Sequence, residues 1–550
     1  MHKFDDGFYI KTFAELDGSD ENNEKLLMQG VIMGIGDIEH YSKFIVTKCG
    51  KCKDEAQYRL EDFSTWRNFK TVTECPSCGN TVDIIQHDKG MVRKFLFGEE
   101  RAANPITITA FVFDNDVYNV RPGEKIKING VIRSLKQPKT ETYKRVIDIK
   151  QLSTNASKVT LPTDEEKTEF GTMDKSLLLQ SFAPNIKGME LEKECLFVAM
   201  LGGVEDKNTR GDVNVLLAGD PGVAKTQLLK FVVSVTEKSD YASGKSSSQA
   251  GLLAGVDNLS DGTRVAKAGS VIMCNGGICC IDEFEKMNAS DRSGLHEVME
   301  NRTFSLRKIG INTTWEAKTA IFAAANPRTS RWDSNLTITE NLNLPFSLLS
   351  RFGLIVLIRD IPHKENDLEL ARHIRKIKQV GIVSPLEPVK ITKFVNHART
   401  ITPKISDEAA DIIENYWIDL RCQSQAEGSI LIDKRTLQDL YRLAEAYARW
   451  DLSETVNKEH GQKAINLLGR TLRSLGMTTP GEVAKSLFDH MSKEEFLMML
   501  FKTPISEESA IIRMREKYKW YGTEEKCLHD INTLRKNGKI YESDGKLKWV

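Results

Sequence analysis

The chain has 550 residues, and its 77 lysine and arginine side chains are balanced by 77 aspartate and glutamate side chains. A length well beyond about 250–300 residues exceeds what one hydrophobic core supports and predicts several domains. Because the net charge is zero, any contact with nucleic acid must come from local basic patches. An apolar content of 40% is typical of soluble globular proteins. The sequence lacks an apolar run of about 18 residues and carries early charges at Lys3, Asp5 and Asp6, so we expect a soluble intracellular protein with no membrane partner.

The N-terminal part of the chain contains two Cys-x2-Cys pairs, with residues 53–74 between them. In an intracellular chain such cysteines are more often metal ligands than disulfides. Two turns of this kind suit a closed tetrahedral site that holds a structural Zn²⁺ at about 2.3 Å from each sulfur. Four unligated thiols are the alternative. The predicted zinc ligands, in a zinc ribbon at about 48–80, are Cys49, Cys52, Cys75 and Cys78.

The segment from Ile106 to Ile149 alternates apolar and polar residues in short runs separated by turn residues. This pattern predicts a small β-barrel, for which an OB-fold is the natural candidate, so we assign residues 1–155 to an N-terminal OB-fold domain. Within it, residues 133–147 carry five basic side chains and one acidic side chain. They form either a solvated hairpin or a basic finger on the DNA backbone, and charge alone does not decide. The candidate DNA contacts are Lys136, Lys139, Lys144 and Arg145.

A buried strand, Val215–Ala218, leads through a glycine turn into an apolar helix that starts at Lys225. Strand, glycine turn and helix together predict a phosphate-binding loop, in which backbone N–H groups bind the phosphates of ATP. Lys225 would neutralise phosphate charge, and the hydroxyl of Thr226 would bind Mg²⁺. A chance glycine turn before a helix is the alternative. The predicted nucleotide-binding residues are Gly219, Asp220, Pro221, Gly222, Val223, Ala224, Lys225 and Thr226, together with Ile186 and Gly188.

A second apolar strand ends in two adjacent carboxylates, Asp282 and Glu283. Adjacent side chains at a strand end point in different directions, so the two acids can divide the chemistry. We predict that Asp282 holds the Mg²⁺ with its water shell, and that Glu283 polarises the attacking water. Cys279 and Cys280 lie in the same strand, and we interpret them as core residues rather than ligands.

Two further polar residues lie at the ends of predicted strands. Asn326 follows the apolar strand Thr319–Ala325, where its amide could hold the attacking water or the γ-phosphate. Arg351 precedes another apolar strand and could neutralise charge that develops on a γ-phosphate. Taken alone, these are a capping asparagine and a surface arginine. Because four such elements follow one another at strand ends, we favour a nucleotide hydrolase.

Five blocks of the sequence form a recognisable set: G-D-P-G-V-A-K-T, Y-A-S-G-K-S-S-S-Q-A-G-L, G-G-I-C-C-I-D-E-F-E-K-M, A-A-A-N-P and N-L-P-F-S-L-L-S-R-F. On these blocks the chain closely resembles the MCM replicative helicases of the AAA+ class, from about residue 25 to 475. The resemblance includes the alanine at position 224, where other phosphate loops have a glycine. It implies a ring of six subunits with ATP bound between neighbours. The residues that match the half of the site on one subunit are Lys225, Thr226, Asp282, Glu283 and Asn326.

The resemblance implies further roles for single residues and segments. Arg351, in S-R-F, is similar to an arginine finger supplied in trans, and Arg435, in D-K-R-T-L-Q-D-L, is similar to the sensor-2 arginine. Residues 250–268 fit the helix-2 insert of the family. Residues 304–318 fit a β-hairpin whose lysine, Lys308, faces DNA in the channel.

The rest of the chain completes a multidomain α/β organisation. A polar linker is expected at 156–173, the AAA+ core at 174–375 and an amphipathic helical lid at 376–475. Residues 482–550 form a separate domain, in which a helix with one apolar face precedes two short strands that turn at Asp544-Gly545. This is a winged-helix pattern, and its partner is either DNA or protein.

We therefore expect an ATP-driven DNA helicase that acts on single-stranded and forked DNA as a ring, with a homohexamer favoured. One alternative is a ring subunit or DNA-loading scaffold that binds ATP with little unwinding, and intact Glu283 and Arg351 argue against it. The other is a AAA+ remodeller of proteins, against which the zinc–OB module and the Lys308 hairpin argue.

The origin of the chain decides its expected location. Strand-like sequence starts near Leu26, so the helical subdomain that usually precedes the barrel is missing or reduced. A compact chain of this kind looks archaeal or carried by a mobile element, which predicts a cytoplasmic, nucleoid-associated protein, whereas a eukaryotic one would be nuclear. Its loading and replication-fork partners remain unidentified.

Overall fold

The structure is a computed structural model, and the residues it describes are 9–10, 25–59, 74–99, 106–136, 143–153, 160–206, 209–245, 247–259, 263–308, 311–333, 336–426, 432–477, 497–498, 500–501, 505–507, 510–511, 514, 524–537, 539–543 and 546–549. Across these segments, no helix combines the length and the apolar character needed to cross a membrane.

A closed β-barrel forms the N-terminal part. Its strands and their neighbours are β1 (Tyr9–Ile10), β2 (Lys25–Cys49), β3 (Glu55–Arg59), β4 (Val82–Gly98), β5 (Thr107–Phe113), β6 (Lys125–Lys136) and β7 (Tyr143–Ser153). The order is β2-β4-β5-β7-β6, and β6 pairs back with β2, so five strands close on themselves. Inward-facing Phe95, Phe97 and Ile147 are fully buried and fill the barrel. The predicted small barrel is therefore present, whereas its assignment as an OB-fold stays a prediction.

A five-stranded parallel sheet forms the centre of the second part. The strands between 215 and 358 are β8 (Val215–Gly219), β9 (Ser239–Ser243), β10 (Ala254–Asn258), β11 (Arg264–Ala268), β12 (Ile278–Asp282), β13 (Thr303–Lys308), β14 (Ile311–Glu316), β15 (Ala320–Ala325) and β16 (Leu354–Ile358). The central sheet has the order β16-β8-β15-β12-β9, and all its strands run parallel. Every residue of β8, β12, β15 and β16 is buried. Helices cover both faces, which explains why these strands are continuous apolar runs.

The helices surround this sheet and build the lid. They are α1 (Asp164–Thr172), α2 (Ser176–Gln180), α3 (Glu190–Leu201), α4 (Lys225–Val235), α5 (Gln249–Leu252), α6 (Ser270–Met273), α7 (Ala289–Asn301), α8 (Ile338–Leu342), α9 (Phe346–Leu349), α10 (Lys364–Val380), α11 (Pro388–Thr400), α12 (Asp407–Ala426), α13 (Lys434–Trp450), α14 (Lys458–Ser474) and α15 (Glu524–Lys536). The lid is tied to the core by Arg449 of α13, whose Nη1 donates to the carbonyls of Leu201, Gly202 and Gly203 at 2.7–2.9 Å.

Part of the predicted linker at 156–173 is folded. Helix α1 starts at a capping box in which Thr163 and Glu166 satisfy each other's backbone N–H groups. Its Phe170 is fully buried and packs edge-to-face on Phe394 of α11, with ring centroids 5.3 Å apart. The predicted linker thus contains a helix at 164–172, which a cap and a single buried aromatic hold on the lid, and the division of the chain into domains stays a prediction.

Two β-hairpins project from the core. Strands β10 and β11 form the predicted insert, and β13 and β14 form the second hairpin. Strand β11 also pairs with β2 of the barrel, with Lys267 opposite Gly34. A β-carbon at residue 34 would lie 2.9 Å from the carbonyl oxygen of Ala266, so the absence of a side chain allows this approach. The insert thus joins the barrel sheet to the nucleotide-binding core.

The C-terminal segments contain a small separate core. Two short parallel strands, β17 (Lys404–Ile405) and β18 (Thr455–Val456), precede this part of the chain. Strands β19 (Ile505–Ser506), β20 (Ile540–Ser543) and β21 (Lys546–Trp549) form a sheet in the order β19-β21-β20. The apolar face of α15 is buried at Cys527 and Ile531, as its pattern predicted. The turn at 544–545 lies outside the described residues, and the winged-helix assignment stays a prediction.

Candidate functional site

The phosphate-binding loop follows β8 at what we call the carboxyl edge of the central sheet, the edge where its parallel strands end. Gly219 approaches β16 so closely that a β-carbon there would lie 2.0 Å from the carbonyl oxygen of Ile358. Gly222 has φ 87° and Ala224 has φ 59°, both in the left-handed region. An alanine in this region costs about 1–2 kcal/mol relative to the right-handed region. The loop therefore needs two glycines and tolerates one strained alanine.

Lys225 lies under this loop and is almost completely buried. Its Nζ donates to the carbonyls of Gly219 at 2.7 Å and Asp220 at 2.6 Å. Burial lowers the pKa of Lys225 to about 8, although nearby carboxylates, Glu285 first among them, oppose the shift. An ammonium held only by neutral carbonyls is poised to bind an anion such as a phosphate.

The carboxylate of Asp220 binds backbone N–H groups of two other segments, although its position in the loop suggests a nucleotide contact. Its Oδ1 accepts from the backbone N–H of Trp332 at 2.9 Å, and its Oδ2 accepts from that of Asp360 at 3.0 Å. The buried carboxylate thus ties the loop to the segments that follow β15 and β16. In this arrangement the side chain supports the loop, and only its backbone can serve a phosphate.

The candidate magnesium ligands meet at the start of α4. Thr226 Oγ1 donates to Asp282 Oδ2 at 2.6 Å, and the hydroxyl of Tyr241 donates to the same oxygen at 2.8 Å. Asp282 Oδ1 accepts from the backbone N–H of Glu283 at 2.8 Å. One carboxylate and one hydroxyl at this separation are oxygen ligands of the kind that Mg²⁺ takes beside phosphate oxygens.

Glu283 points away from Asp282 because it leaves the strand in the left-handed region, with φ 51°. Its carboxylate forms an ion pair with Lys286 and accepts from Ser243 Oγ at 3.3 Å. The two adjacent acids are therefore separated in direction, as the sequence predicted. The ion pair with Lys286 and the bond from Ser243 leave further lone pairs of this carboxylate open to other hydrogen-bond donors.

Asn326 lies next to the phosphate-binding loop in the sheet register. Ala325 of β15 is opposite Ala218 of β8, so Asn326 is level with Gly219. Its backbone N–H and its Nδ2 donate to the two carboxylate oxygens of Glu285 at 3.1 and 3.2 Å. Glu285 was not among the predicted site residues, although it is the third acid of the D-E-F-E block.

The segment with Ile186 and Gly188 lies near the start of α4. Asn185 Nδ2 donates to Gln227 Oε1 at 3.2 Å, one residue after Thr226. The carbonyl of Ile186 accepts from the buried Lys193 Nζ at 2.7 Å, and Gly188 turns the chain with φ 75°. The segment therefore lies beside the start of α4, and its contact with a nucleotide stays a prediction.

The predicted arginines lie at the opposite, amino edge of the same sheet. Asn214, which directly precedes β8, donates from its Nδ2 to the carbonyl of Arg351 at 2.9 Å, and its own carbonyl accepts from Gly353 N. Arg351 Nη2 pairs with Glu300 Oε2 at 2.8 Å, and Arg435 Nη2 lies 3.8 Å from Glu300 Oε1. One carboxylate thus serves both arginines.

Four arginines line one pocket at this edge, and we call them the arginine cluster: Arg210, Arg351, Arg435 and Arg442. The side chain of Arg351 is 6% exposed, and among the described residues its buried Nε and Nη1 have no hydrogen-bond partner. A buried guanidinium with two unmatched nitrogens is an unusual cost for a folded chain. It indicates a site that is completed by another group.

The four predicted zinc ligands come together. Their Sγ atoms all lie within 4.8 Å of one another, and three Sγ–Sγ distances are 3.5 Å. A tetrahedral site with metal–sulfur bonds of about 2.3 Å has sulfurs about 3.8 Å apart, so the set fits Zn²⁺. Both turns have the same hydrogen bonds, with Lys53 N donating to Cys49 O and Gly79 N to Cys75 O.

The candidate DNA contacts lie on the two predicted hairpins. Lys308 is exposed where β13 pairs with β14, directly before residues outside the described part. Lys136 pairs in backbone register with Tyr143, so the described residues 133–136 and 143–147 belong to two antiparallel strands. Lys144 is exposed and Arg145 is half-buried. Lys139 lies outside the described residues.

The parallel sheet, the phosphate-binding loop, the acidic strand end and the attached helical lid together define a P-loop ATPase of the AAA+ class. The family models agree, because the MCM P-loop domain matches residues 167–378 and the MCM AAA-lid domain matches residues 389–472.

Three relatives extend the likeness beyond the ATPase part. The chain is 32% identical over 516 residues to the minichromosome maintenance protein MCM of Saccharolobus solfataricus, an alignment covering 86% of this chain and 74% of that protein. It is 36% identical to the DNA replication licensing factor MCM4 of Arabidopsis thaliana over 72% of this chain and 54% of the relative. It is 31% identical to MCM7 of Oryza sativa subsp. indica over 85% and 70%. The chain belongs to the MCM family, whose members are ATP-dependent DNA helicases.

Proposed function

We propose that this chain works as a hexameric ring that hydrolyses ATP at sites shared between neighbouring subunits and moves along single-stranded DNA, unwinding duplex at replication forks. The observation that carries the proposal is the division of the site. The phosphate-binding loop, the acids and Asn326 lie at the carboxyl edge of the sheet, whereas Arg351 and Arg435 lie at the amino edge.

The distance between the two edges supports a shared site. β8 has five residues and rises about 3.3 Å per residue, so its ends are about 16 Å apart. An arginine side chain anchored before β16 does not span that distance to its own phosphate-binding loop. A neighbour in a closed ring can offer its amino edge to this subunit's carboxyl edge, since head-to-tail interfaces of this type close into rings.

Within one subunit, the roles follow the contacts. Lys225 binds phosphate charge, Thr226 and Asp282 hold Mg²⁺, and Glu283 orients and polarises the attacking water. Arg351 and Arg435 stabilise the charge that develops on the nucleotide of the neighbouring subunit. The four-cysteine site holds a structural Zn²⁺, because a closed set of four sulfurs leaves no position for water.

The DNA path follows from the basic hairpins. We assign residues 1–155 to an OB-fold domain with its zinc ribbon and residues 482–550 to a winged-helix domain. Lys308 and the hairpin at 133–147 face DNA in the channel of a homohexamer. The chain acts on chromosomal DNA, in the nucleoid if it is archaeal and in the nucleus if it is eukaryotic.

Two assays with purified protein test this proposal. We expect ATP turnover that rises with single-stranded DNA and strand displacement from a forked duplex. Lys308→Ala should retain DNA-independent turnover and lose most of the DNA stimulation, whereas Lys364→Ala, a change at an exposed lysine of α10, should not. If the protein hydrolyses ATP but displaces no strand from any forked duplex, the alternative of a ring subunit or DNA-loading scaffold is favoured instead.

A further inference from the structure

The third acid of the D-E-F-E block has contacts that the function proposed above does not use. Glu285 lies in the short 3-10 turn Phe284–Lys286, which directly follows the catalytic acids. Arg292 holds this turn from α7, with its Nη2 donating to the backbone carbonyl of Glu285 and its Nη1 donating to that of Asn343 at 3.1 Å. Arg292 therefore ties the backbone of Glu285 to that of Asn343.

The carboxylate of Glu285 binds Asn326 at two points. Oε2 accepts from the backbone N–H of Asn326 at 3.1 Å, and Oε1 accepts from its side-chain Nδ2 at 3.2 Å. A carboxylate offers only acceptors to this asparagine. The side-chain atom facing Glu285 must therefore be the amide nitrogen, because an amide oxygen at this distance would repel the carboxylate.

This pairing decides which end of the amide remains for the nucleotide site. The oxygen and the nitrogen leave Cγ in different directions, so Oδ1 points away from Glu285. Asn326 lies level with Gly219, the first residue of the phosphate-binding loop. The charge of Glu285 raises the pKa of Lys225, against the effect of burial. Glu285 thus takes one hydrogen of Nδ2 and fixes the orientation of the amide, so that Oδ1, which can only accept, lies on the side away from Glu285.

We propose that Glu285 is a positioning residue that turns the amide of Asn326 so that Oδ1 accepts a hydrogen bond from the attacking water. The proposal rests on the ATP hydrolysis proposed above. A γ-phosphate oxygen offers no hydrogen to Oδ1, whereas water does. Asn326 and Glu283 then hold the same water molecule from two sides, and Glu285 acts only through Asn326.

The pair can be reversed without changing the local charge. In Glu285→Gln, the new amide oxygen can still accept from the backbone N–H of Asn326. The new NH2 group then faces the side-chain NH2 of Asn326, and neither can accept a hydrogen bond. In Asn326→Asp, a second carboxylate faces Glu285. In the double variant, the new amide at position 285 donates to the new carboxylate at position 326, whose other oxygen is still an acceptor for water. The side chains at positions 285 and 326 together still carry one negative charge, as they do in the parent chain.

The test measures ATP turnover of the full chain with single-stranded DNA for the two single variants and the double variant. Each single variant should lose about 10- to 100-fold in kcat with no rise in KM, as expected when one charge-assisted hydrogen bond is lost in the transition state. The double variant should regain at least about tenfold over either. Glu297→Gln on α7, outside this pair, serves as the control and should behave as the parent.

The opposite result has a clear meaning. If Asn326 donates to the γ-phosphate, a carboxylate at position 326 repels that phosphate, and the double variant is no better than Asn326→Asp; that outcome overturns the proposal. If the double variant does not melt like the parent, the cycle of Glu285→Ala and Asn326→Ala decides. If the double alanine variant loses no more turnover than the worse of the two single variants, the proposal is supported. If the two losses multiply, the residues act independently and the proposal is overturned. A parent chain without turnover refutes the proposed hydrolysis itself.

Discussion

The division of the site across two edges of one sheet makes a quantitative prediction about mixed rings. Lys225→Ala removes the phosphate contact at the carboxyl edge, and Arg351→Ala removes the arginine at the amino edge. Each variant alone should be nearly inactive, because every interface then lacks one half, and an arginine finger contributes about 10³- to 10⁵-fold in rate. When the two are mixed, an interface between an intact Lys225 and an intact Arg351 becomes available.

The expected recovery follows from counting interfaces. In an equal random mixture, half of the subunits have Lys225 and the other half have Arg351. About one quarter of the interfaces therefore combine the two intact halves, so turnover should return to about 25% of the wild-type rate if interfaces act independently. A site contained within one subunit would give no recovery, because each subunit of the mixture lacks one of the two residues.

A dilution series with the double variant Lys225→Ala/Arg351→Ala separates the remaining possibilities. When it makes up half of the mixture with wild type, turnover should fall to about 50% for a site within one subunit, about 25% for a site between two, and about 2% if all six must act together. Native mass spectrometry checks that the subunits have exchanged. Arg473→Ala, at an exposed arginine of α14, should dilute without loss. A linear decline would refute the shared site.

Four further predictions concern single groups. Glu283→Gln should retain ATP binding and lose turnover by about 10²- to 10⁴-fold, because an amide does not polarise water as a carboxylate does; nucleotide binding beside ATPase rates checks this. Metal analysis should find one Zn²⁺ per chain. Cys75→Ser should lose the metal together with N-terminal folding or ring assembly, as measured by thermal melting and native mass spectrometry. A metal-free protein that forms a normal ring would contradict this prediction. Phosphate binding favours the protonated form of Lys225, so the affinity for ATP should be constant below pH 8 and fall as the pH rises above about 8, measured by titration in Glu283→Gln; an affinity that is flat to about pH 9.5 would contradict the lowered pKa. Glu300→Gln removes the carboxylate that pairs with Arg351 and Arg435, so it should lower ATP turnover. Mixing it with Lys225→Ala should restore turnover, whereas mixing it with Arg351→Ala should not. Equal recovery in both mixtures would show that Glu300 does not act through the arginines.

The carboxyl edge was predictable because its residues follow buried strands directly. A parallel strand brings its last residue to a known edge, so Lys225, Asp282, Glu283 and Asn326 could be placed from the order of apolar runs alone. The zinc ligands were predictable for a similar reason, since each Cys-x2-Cys pair is local. The helix at 164–172 was missed although Thr163 and Glu166 have the spacing of a capping box, because its polar surface conceals the one buried aromatic.

The contacts that tune the site were not predictable from spacing. Glu285 and Asn326 are 41 positions apart, and Glu300 and Arg351 are 51 apart, so each pair depends on how the sheet and helices pack. Tyr241, which donates to Asp282, reads as one more residue of a strand. Such residues look ordinary in a sequence because the physical signal, a shared carboxylate or hydroxyl, exists only after folding.

Asn214 anchors Arg351 to the amino end of β8, the strand that leads to the phosphate-binding loop. Its Nδ2 donates to the carbonyl of Arg351, and its Oδ1 accepts from the backbone N–H of Ile321 in β15 at 2.9 Å. β8 and β15 are fully buried, packed strands, and such elements move as units rather than deforming along their length. One end of β8 carries the phosphate-binding loop and the other the anchor of the arginine, so a displacement of the loop would also shift the arginine. In the ring proposed above, this arrangement would couple each hydrolysis site to its neighbour through a strand of five residues.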